Sequence, residues 1–175
     1  MIVINEATTA DAADLHQLAA LTFPLACPPH TSADSIAAFI TKHLSEPAFG
    51  RYLADPDRDL LIARDGGNVV GYAMLVHAEP TDQDVAAVIT TRPTTELSKL
   101  YVHPDHHGAG VAAALVTRSI AAAQQRGSKT VWLGVNQLNA RANRFYAKSG
   151  FAQVGTKTFQ VGDQIEQDFV RERQL

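Results

Sequence analysis

Two closely spaced glycines, Gly108 and Gly110, stand where a predicted strand gives way to a predicted helix. The apolar pattern of residues 97–102 predicts the strand, and that of residues 110–125 predicts an amphipathic helix. Glycines let a chain turn sharply and leave its backbone N–H groups uncovered by side chains. Because unpaired N–H groups at the start of a helix attract anions, the sequence predicts a phosphate-bearing ligand here.

The surrounding residues argue against two common phosphate loops. Segment 108–113 satisfies the dinucleotide pattern G-x-G-x-x-G/A, but that pattern needs a strand ending at the first glycine and an acidic residue about 20 positions later. Here residues 103–107 intervene, and the next predicted strand, 130–135, carries no acid. A Walker loop is excluded because no Gly-Lys-Ser/Thr follows. The remaining pattern is V-x-P-x-x-x-G-x-G-V-A before a helix.

The stretch LYVHPDHHGAGVAAAL, beginning at Leu100, resembles the acyl-CoA-binding motif of the GCN5-related N-acetyltransferases, the GNAT superfamily. The stretch NARANRFYAKSGF, beginning at Asn139, resembles the next motif of that family and follows at the expected distance. The resemblance covers nearly the whole chain, most strongly residues 96–151. His107 stands where the family usually has Arg or Gln, so side-chain help to the diphosphate is expected to be weaker or pH-dependent.

The resemblance implies an α/β (α+β) fold in one domain, 1–175, with a mixed, mostly antiparallel sheet of six to seven strands and about four helices. Strands 97–102 and 130–135 form its one parallel pair, which splays at its C-terminal ends and admits the pantetheine arm of acetyl-CoA. The acetyl-CoA-binding residues it implies are Leu100, Tyr101, Val102, His107, Gly108, Ala109, Gly110, Val111, Ala112, Asn139 and Tyr146.

Tyr146 is the predicted proton donor, the role that the resembled family gives to a tyrosine at this position. When an amine displaces a thioester, the leaving thiolate needs a proton. Transfer from a tyrosine with a pKa of about 10 to a thiol with a pKa of about 8.5 costs only about 2 kcal/mol. Tyr146 lies one turn from Ala142 on the predicted helix 140–149, and a core position for its ring is the alternative.

Glu96 is the predicted general base. Direct transfer from an ammonium to a glutamate costs roughly 8 kcal/mol, so a water chain and desolvation of the amine must contribute. Period-2 alternation predicts that Glu96 shares a sheet face with Leu100 and Val102, and a solvated strand-edge glutamate is the alternative. Backbone N–H groups around Val102 are expected to stabilise the reacting carbonyl oxygen, and no covalent enzyme intermediate is expected.

Several polar residues have simpler explanations. The cluster of His103, His106 and His107 is interpreted as solvated loop histidines, because no cysteine accompanies it and no metal is predicted. For Asn139, a helix N-cap and the family role of hydrogen-bonding the cofactor both stay open. Cys27 is interpreted as a small buried or half-buried hydrophobe.

The elements before the central unit are predicted to include two helices. The first follows a short strand, 2–4, begins near Thr8 or Thr9 and ends at Pro24. The second begins at a capping box, 31–34. Their predicted buried stripes are Leu15, Leu18 and Leu21 in the first helix, and Ile36, Phe39, Ile40 and Leu44 in the second.

Hairpins are predicted on both sides of the central unit. Strands 59–63 and 69–76 flank a turn at 65–68, and strands 151–161 and 164–171 join at Gly162. Residues 46–56 are predicted as a short helix or turn. Residues 79–93 give no clear prediction, since 85–90 fits either a strand or a helix.

Composition limits the function classes. The 175 residues carry a net charge of −3 without a basic stripe, which argues against a nucleic-acid surface. No window approaches membrane-spanning length, and the N-terminus does not resemble a signal peptide. The single cysteine fits a reducing compartment, so a cytoplasmic protein is expected.

The expected partner is a small-molecule amine, here a polyamine such as spermidine. The closing hairpin GTKTFQVGDQIEQDFV, together with residues 31–49 and 132–151, is similar to bacterial spermidine/spermine acetyltransferases. Carboxylates also cluster in the regions expected to border the acceptor, with a solvated acidic surface as the alternative interpretation. Those carboxylates are Glu46, Glu79, Asp82, Asp84, Asp163, Glu166 and Asp168. The alternatives are a protein N-terminus or lysine as acceptor, a catalytically silent CoA sensor, and an interaction module that keeps the fold for homodimer formation.

Overall fold

The computed structural model describes residues 1–175 and is built on one seven-stranded sheet, with the strand order β1-β2-β3-β4-β5-β7-β6. Every neighbouring pair is antiparallel except β4 and β5, which are parallel. The predicted fold class is therefore confirmed. The strands are β1 (Ile2–Glu6), β2 (Arg58–Asp65), β3 (Asn68–Val76), β4 (Thr94–Val102), β5 (Thr130–Asn136), β6 (Ala152–Val161) and β7 (Gln164–Gln174).

Six α-helices accompany the sheet, two more than the approximate number predicted. One of them, α4, lies in the stretch that the sequence left undecided, and 3-10 turns precede α1 and α5. No helix combines the length and apolar character needed to span a bilayer. The helices are α1 (Ala12–Ala26), α2 (Ala33–His43), α3 (Glu46–Ala54), α4 (Gln83–Val88), α5 (Val111–Gln125) and α6 (Ala140–Lys148).

The helices cover both faces of the sheet and create two main cores. On one face, Leu115 of α5 packs against Leu97 of β4 and Leu133 of β5. On the other face, Leu15 of α1 and Phe49 of α3 belong to the cluster that includes residues of β2 and β3. Each such side chain contributes about 1.5–3 kcal/mol when fully buried, so the packing of α5 against the sheet stabilises the central unit.

The parallel pair opens as expected. Residues 94–96 of β4 pair with residues 130–132 of β5, and beyond Glu96 strand β4 pairs only with β3. Strand β5 continues alongside β7 up to Asn136. The edges of β4 and β5 that face each other therefore lack sheet partners along the gap, and unpaired backbone groups of this kind can accept an extended ligand.

A β-bulge at Ser98 corrects the predicted face of Glu96. Strand register shifts there, since Lys99 lies opposite Met74 whereas Leu97 lies opposite Leu75. Directly opposed residues share a sheet face, and one extra residue reverses the alternation. Leu97, Leu100 and Val102 consequently face α5, whereas Glu96, Lys99 and Tyr101 face the α1–α3 side.

The predicted N-terminal elements need three smaller corrections. Helix α1 continues past Pro24 to Ala26, and Leu21 is 46% exposed while Thr22 is buried in its place. Residues spaced by three and then four positions, such as Leu15, Leu18 and Thr22, lie on one face of a helix, whereas Leu21 lies off that face. The cap of α2 is Ser32, whose hydroxyl accepts the N–H of Ser35 at 3.1 Å, one position later than predicted.

Candidate active site

A cavity of ≈ 430 Å³ occupies the opening between β4 and β5. The C-terminal half of β4 and the start of α6 form one side, and α1 with the β6–β7 hairpin forms the other. Most of the predicted site residues line it: Glu96, Leu100, Tyr101, Val102, His107, Ala112, Asn139 and Tyr146. The remaining four, Gly108, Ala109, Gly110 and Val111, lie outside its lining, in the adjoining turn into α5.

The glycine loop has the backbone conformation that its sequence requires. Gly108 and Gly110 adopt φ values of 82° and 81°, a region that favours glycine, and an added Cβ at either meets open space. No protein acceptor binds the N–H groups of Gly108, Gly110 or residues 111–113. These free donors, at the positive end of the α5 dipole, fit the diphosphate of CoA.

His107 contacts two neighbours through its ring. Its Nε2 lies 3.0 Å from the Val102 carbonyl oxygen, and its Nδ1 lies 2.7 Å from Nη1 of Arg141 on α6. A carbonyl only accepts and a guanidinium only donates, so Nε2 carries the proton and Nδ1 accepts. The ring is therefore neutral in this arrangement.

Asn139 begins α6. Its Oδ1 accepts the N–H of Ala142 at 3.1 Å, so the predicted N-cap is confirmed. Asn143 reinforces this turn by donating to the carbonyls of Asn136 and Asn139. The cap occupies only the oxygen of Asn139, which leaves its amide NH₂ group free to donate into the cavity.

Tyr146, the predicted proton donor, lines the cavity from α6. Its ring contacts Phe145 and Phe151 at centroid distances of 5.3 and 5.9 Å, and its hydroxyl forms no hydrogen bond within the protein. Burial raises the pKa of Tyr146, with a further contribution from Tyr101. The phenol is therefore protonated at neutral pH, but it is a weaker acid than an ordinary tyrosine, so proton transfer to the thiolate costs more than for an unperturbed phenol.

Glu96 faces the cavity beside a lysine that the sequence did not single out. Burial raises the pKa of Glu96, opposed first by Lys157 and then by Lys99. Burial also lowers the pKa of Lys99 to about 8, while Glu96 opposes that shift. The sequence carried a signal for the shared face of Glu96 and Lys99, because two polar residues between Leu97 and Leu100 break the alternation of a regular strand and indicate a bulge.

The far side of the cavity holds two buried carboxylates, Glu166 and Asp168, each only 5% exposed. His30 lies 2.8 Å from Glu166, and Lys157 lies 3.6 Å from Asp168. Burial raises the pKa of Asp168, with Lys157 opposing the shift, and its Oδ1 has no hydrogen-bond partner. The wall beside them is aromatic, with Phe23, Phe39 and Phe159.

The other five carboxylates predicted to border the acceptor lie outside the cavity lining. Asp82 caps α4, Asp163 accepts a hydrogen bond from the Ser35 hydroxyl, and Glu79 forms an ion pair with Arg92. Glu46 and Asp84 are exposed in the first turns of α3 and α4, where negative charge stabilises a helix. Local capping and pairing thus account for these five.

The gap between β4 and β5 has free backbone N–H groups beside it at the start of α5, and Tyr146 in its lining. This arrangement suits an extended ligand with a diphosphate, such as CoA. That combination places the chain among the acyl-CoA-dependent transferases. The chain belongs to the acetyltransferase (GNAT) family, whose family model matches residues 13–151. It is an N-acetyltransferase, and acetyl-CoA is its co-substrate, as the sequence motifs predicted.

Similar proteins support the same family. An uncharacterised N-acetyltransferase of Mycobacterium bovis is 49% identical over 94% of this chain and 98% of its own length. The structure of the PaiA N-acetyltransferase of Thermoplasma acidophilum in complex with coenzyme A has a TM-score of 0.79 and 18% identity, covering 100% of this chain and 99% of that one. The finer resemblance to spermidine/spermine acetyltransferases stays a prediction.

Two other relatives are named for particular acceptors. The L-amino acid N-acyltransferase MnaT of Escherichia coli is 32% identical over 104 residues, which is 56% of each chain. The structure of the ribosomal-protein-S18-alanine N-acetyltransferase of Escherichia coli has a TM-score of 0.71 and 18% identity, covering 99% of this chain and 94% of that one. The latter likeness concerns the fold.

Proposed function

We propose that the enzyme transfers the acetyl group of acetyl-CoA directly to the primary amine of a small molecule, with both substrates bound together. The observation that carries the proposal is that one cavity is lined by Tyr146 and also by Glu96, Glu166 and Asp168. The thioester supplies an activated carbonyl, so the enzyme's task is to hold the amine and that carbonyl in attack geometry.

Acetyl-CoA is proposed to lie along the gap between β4 and β5. Its diphosphate would meet the free N–H groups that follow Gly108, and its pantetheine arm would pair with the unpaired edge of β4 from Leu100 to Val102. The amide of Asn139 faces the same gap and supplies a further donor.

The chemistry then divides between two groups. Glu96 accepts a proton from the incoming ammonium through water. Burial raises the pKa of Glu96 and so reduces the difference between the pKa values of the ammonium and the carboxylate. Tyr146 gives its proton to the leaving sulfur as the C–S bond breaks. The second proton, which the attacking nitrogen loses as the amide forms, restores the phenol, and the proton on Glu96 passes to solvent. Backbone N–H groups around Val102 are proposed to stabilise the carbonyl oxygen as it gains negative charge.

Cys27 lines the same cavity but favours no covalent route. Burial raises the pKa of this thiol to about 11, and the negative charge of Glu166 adds to the shift. A thiol with so high a pKa carries little thiolate at neutral pH, and the thiolate is the nucleophile. Direct transfer between the two bound substrates is therefore favoured over an acetylated cysteine.

A polyamine such as spermidine is the first acceptor to test. Glu166 and Asp168 present buried negative charge to an ammonium group, and the free oxygen of Asp168 lacks a donor. An α-amino acid is the second candidate, because Lys99 and Lys157 line the same cavity and suit a carboxylate better than further ammonium groups. The relative named as an L-amino acid N-acyltransferase supports this second candidate.

The deciding experiment measures free thiol released from acetyl-CoA with spermidine, spermine, a monoamine, an α-amino acid and a short peptide at matched concentrations. Faster turnover of a polyamine that falls with added salt supports the first candidate, and faster turnover of the amino acid supports the second. Preference for the peptide would favour a protein acceptor. Thiol release with none of them would favour a silent CoA-binding protein.

A carboxylate variant tests the acceptor side of the cavity. We expect Asp168→Asn to raise the KM for the amine by about tenfold, since a hydrogen bond to a charged group contributes about 1.5–3 kcal/mol. Asp84→Asn is the matched control, because Asp84 is exposed on α4 and does not line the cavity. Equal effects in the two variants would remove Asp168 from the acceptor site.

A further inference from the structure

Arg141 is a cation without an acidic partner at the edge of the cavity. It lies in the first turn of α6, is exposed, and forms no ion pair with an acidic side chain. Its one hydrogen bond crosses 34 positions of sequence to the Nδ1 of His107. Arg171 and Arg173, by contrast, bind backbone carbonyls near the end of α6.

His107 is well placed to orient this guanidinium. Its Nε2–H donates to the Val102 carbonyl at 3.0 Å, and that bond fixes the ring so that the lone pair of Nδ1 points at Arg141. Orientation matters because a guanidinium has a rigid planar fork of donors, most of which stay free when one N–H is bound.

The free donors of Arg141 lie beside the phosphate-binding loop. His107 directly precedes Gly108, and both His107 and Arg141 line the cavity. The N–H groups of Gly108, Gly110 and residues 111–113 have no protein acceptor, whereas that of Ala109 donates to the His106 carbonyl at 3.3 Å. The loop itself, residues 103–110, contains no lysine or arginine and includes the acidic Asp105. A doubly charged diphosphate bound there lacks a permanent positive charge from the loop.

We propose that Arg141, oriented by neutral His107, binds the diphosphate of acetyl-CoA and supplies that positive charge from α6. Arg141 is then a binding residue for the co-substrate, and His107 is a positioning residue. The inference rests on the placement of acetyl-CoA proposed above.

Calorimetric titration of the whole protein with CoA, dephospho-CoA and pantetheine tests the assignment. We expect Arg141→Ala to weaken CoA and dephospho-CoA by at least about tenfold each, as for loss of a charge-assisted bond, and to leave pantetheine unchanged. Arg144→Ala is the control, because Arg144 is exposed on the same helix and lies outside the cavity lining. This variant should bind all three ligands like the wild type.

Each contrary pattern overturns the assignment. A loss with CoA alone would move Arg141 to the 3′-phosphate, and an equal loss with pantetheine would make its role structural. If Arg141→Ala bound CoA with unchanged affinity, Arg141 would not be part of the diphosphate site. A wild-type protein that bound neither CoA nor dephospho-CoA would instead contradict the proposed function, so the two failures are distinguishable.

The role of His107 has its own test. His107→Leu should lose most of the CoA affinity that Arg141→Ala loses. The double variant should bind CoA only slightly more weakly than Arg141→Ala alone. His107→Gln should retain affinity, because a glutamine amide can donate to Val102 and accept from Arg141. The ¹⁵N spectrum of the wild-type imidazole should show protonated Nε2 and unprotonated Nδ1; the opposite tautomer, or Gln behaving like Leu, would exclude the positioning role.

Discussion

Tyr146 combines a ring held by neighbouring aromatics with a hydroxyl that has no partner in the protein. We expect Tyr146→Phe to lower kcat by roughly 10²–10⁴-fold, the usual contribution of general acid catalysis, while the affinity for acetyl-CoA changes little. Steady-state kinetics and calorimetric titration measure the two quantities. A loss under about fivefold would show that water or another group protonates the sulfur.

Tyr72→Phe is the matched control for removal of a tyrosine hydroxyl. Tyr72 is fully buried in the core beneath α3, and its hydroxyl has no hydrogen-bond partner. Removing an unsatisfied buried polar group relieves a desolvation penalty. This variant should keep its kcat and unfold at an equal or higher temperature than the wild type.

We expect activity to depend on pH through Glu96 and to fall at low pH. Burial raises the pKa of Glu96, so the base keeps its proton to a higher pH than an ordinary glutamate, and activity should fall as pH drops through that raised value. In the pH profile of kcat/KM, Glu96→Gln should remove this acidic limb along with most of the activity. An unchanged acidic limb in the variant would identify another base.

The same shift predicts a stability effect. A carboxyl whose pKa is raised on folding stabilises the folded state below the unfolded pKa, and that contribution is lost as pH rises. Above its raised pKa, Glu96 is a charge in a poorly solvated site that folding must accommodate. Relative to the wild type, Glu96→Gln should therefore gain stability as the pH rises from acidic to neutral, which thermal unfolding at both pH values checks. A variant that is still folded at the assay temperature shows that its loss of activity is not a loss of fold.

Single residues were predictable where local chemistry decides their role. The glycines need positive φ, and Asn139 caps the helix that follows it, so both follow from the residues around them. Lys99 and Arg141 were missed for different physical reasons. The bulge at Ser98 turns Lys99 toward the cavity, and the partner of Arg141 lies 34 positions away in the chain.

At the scale of elements, the loop between β4 and α5 can be tested by comparing its glycine with one at the other end of the same helix. We expect Gly110→Val to abolish detectable CoA binding in a folded protein, because a branched side chain would hold the diphosphate away from the N–H groups. Gly127 follows α5, has a φ of 80° against 81° at Gly110, and has equally open surroundings.

Gly127→Val therefore imposes the same backbone strain without approaching the proposed phosphate site. Left-handed backbone costs a non-glycine residue about 1–2 kcal/mol, so both variants should lose similar stability in thermal unfolding. Only Gly110→Val should lose CoA binding by calorimetry. Wild-type-like affinity in folded Gly110→Val, or equal losses in both variants, would remove the loop from the binding site.

Periodicity and turn residues predicted where the helices and strands lie in the chain better than they predicted which of them contact each other. The predicted hairpin turns and the central strand-loop-helix-strand unit match the structure to within a few residues. Helix α4 escaped prediction because six residues span less than two turns, too few for an apolar stripe to distinguish a helix from a strand. The splay of β4 and β5 was implied by the family resemblance rather than by the strand sequences.

At the scale of the whole molecule, the fold brings residues that are far apart in the sequence into one cavity. Helix α1 and strand β7 are remote in sequence, yet Cys27 at the end of α1 and Glu166 on β7 line one cavity with β4 and α6. Carboxylates are expected at the surface, so the burial of Glu166 and Asp168 could not be read from their types. Those two carboxylates mark the proposed acceptor side of the cavity.

One cavity that borders both binding regions makes a kinetic prediction for the intact enzyme. Because direct transfer needs both substrates present together, initial rates over a grid of acetyl-CoA and amine concentrations should give intersecting double-reciprocal lines. The high pKa of Cys27, about 11, leaves this thiol unsuited to carry the acetyl group. Intact-mass spectrometry after incubation with acetyl-CoA alone should therefore show unmodified protein. Parallel lines together with a stoichiometric acetylated species would establish a ping-pong route and contradict direct transfer.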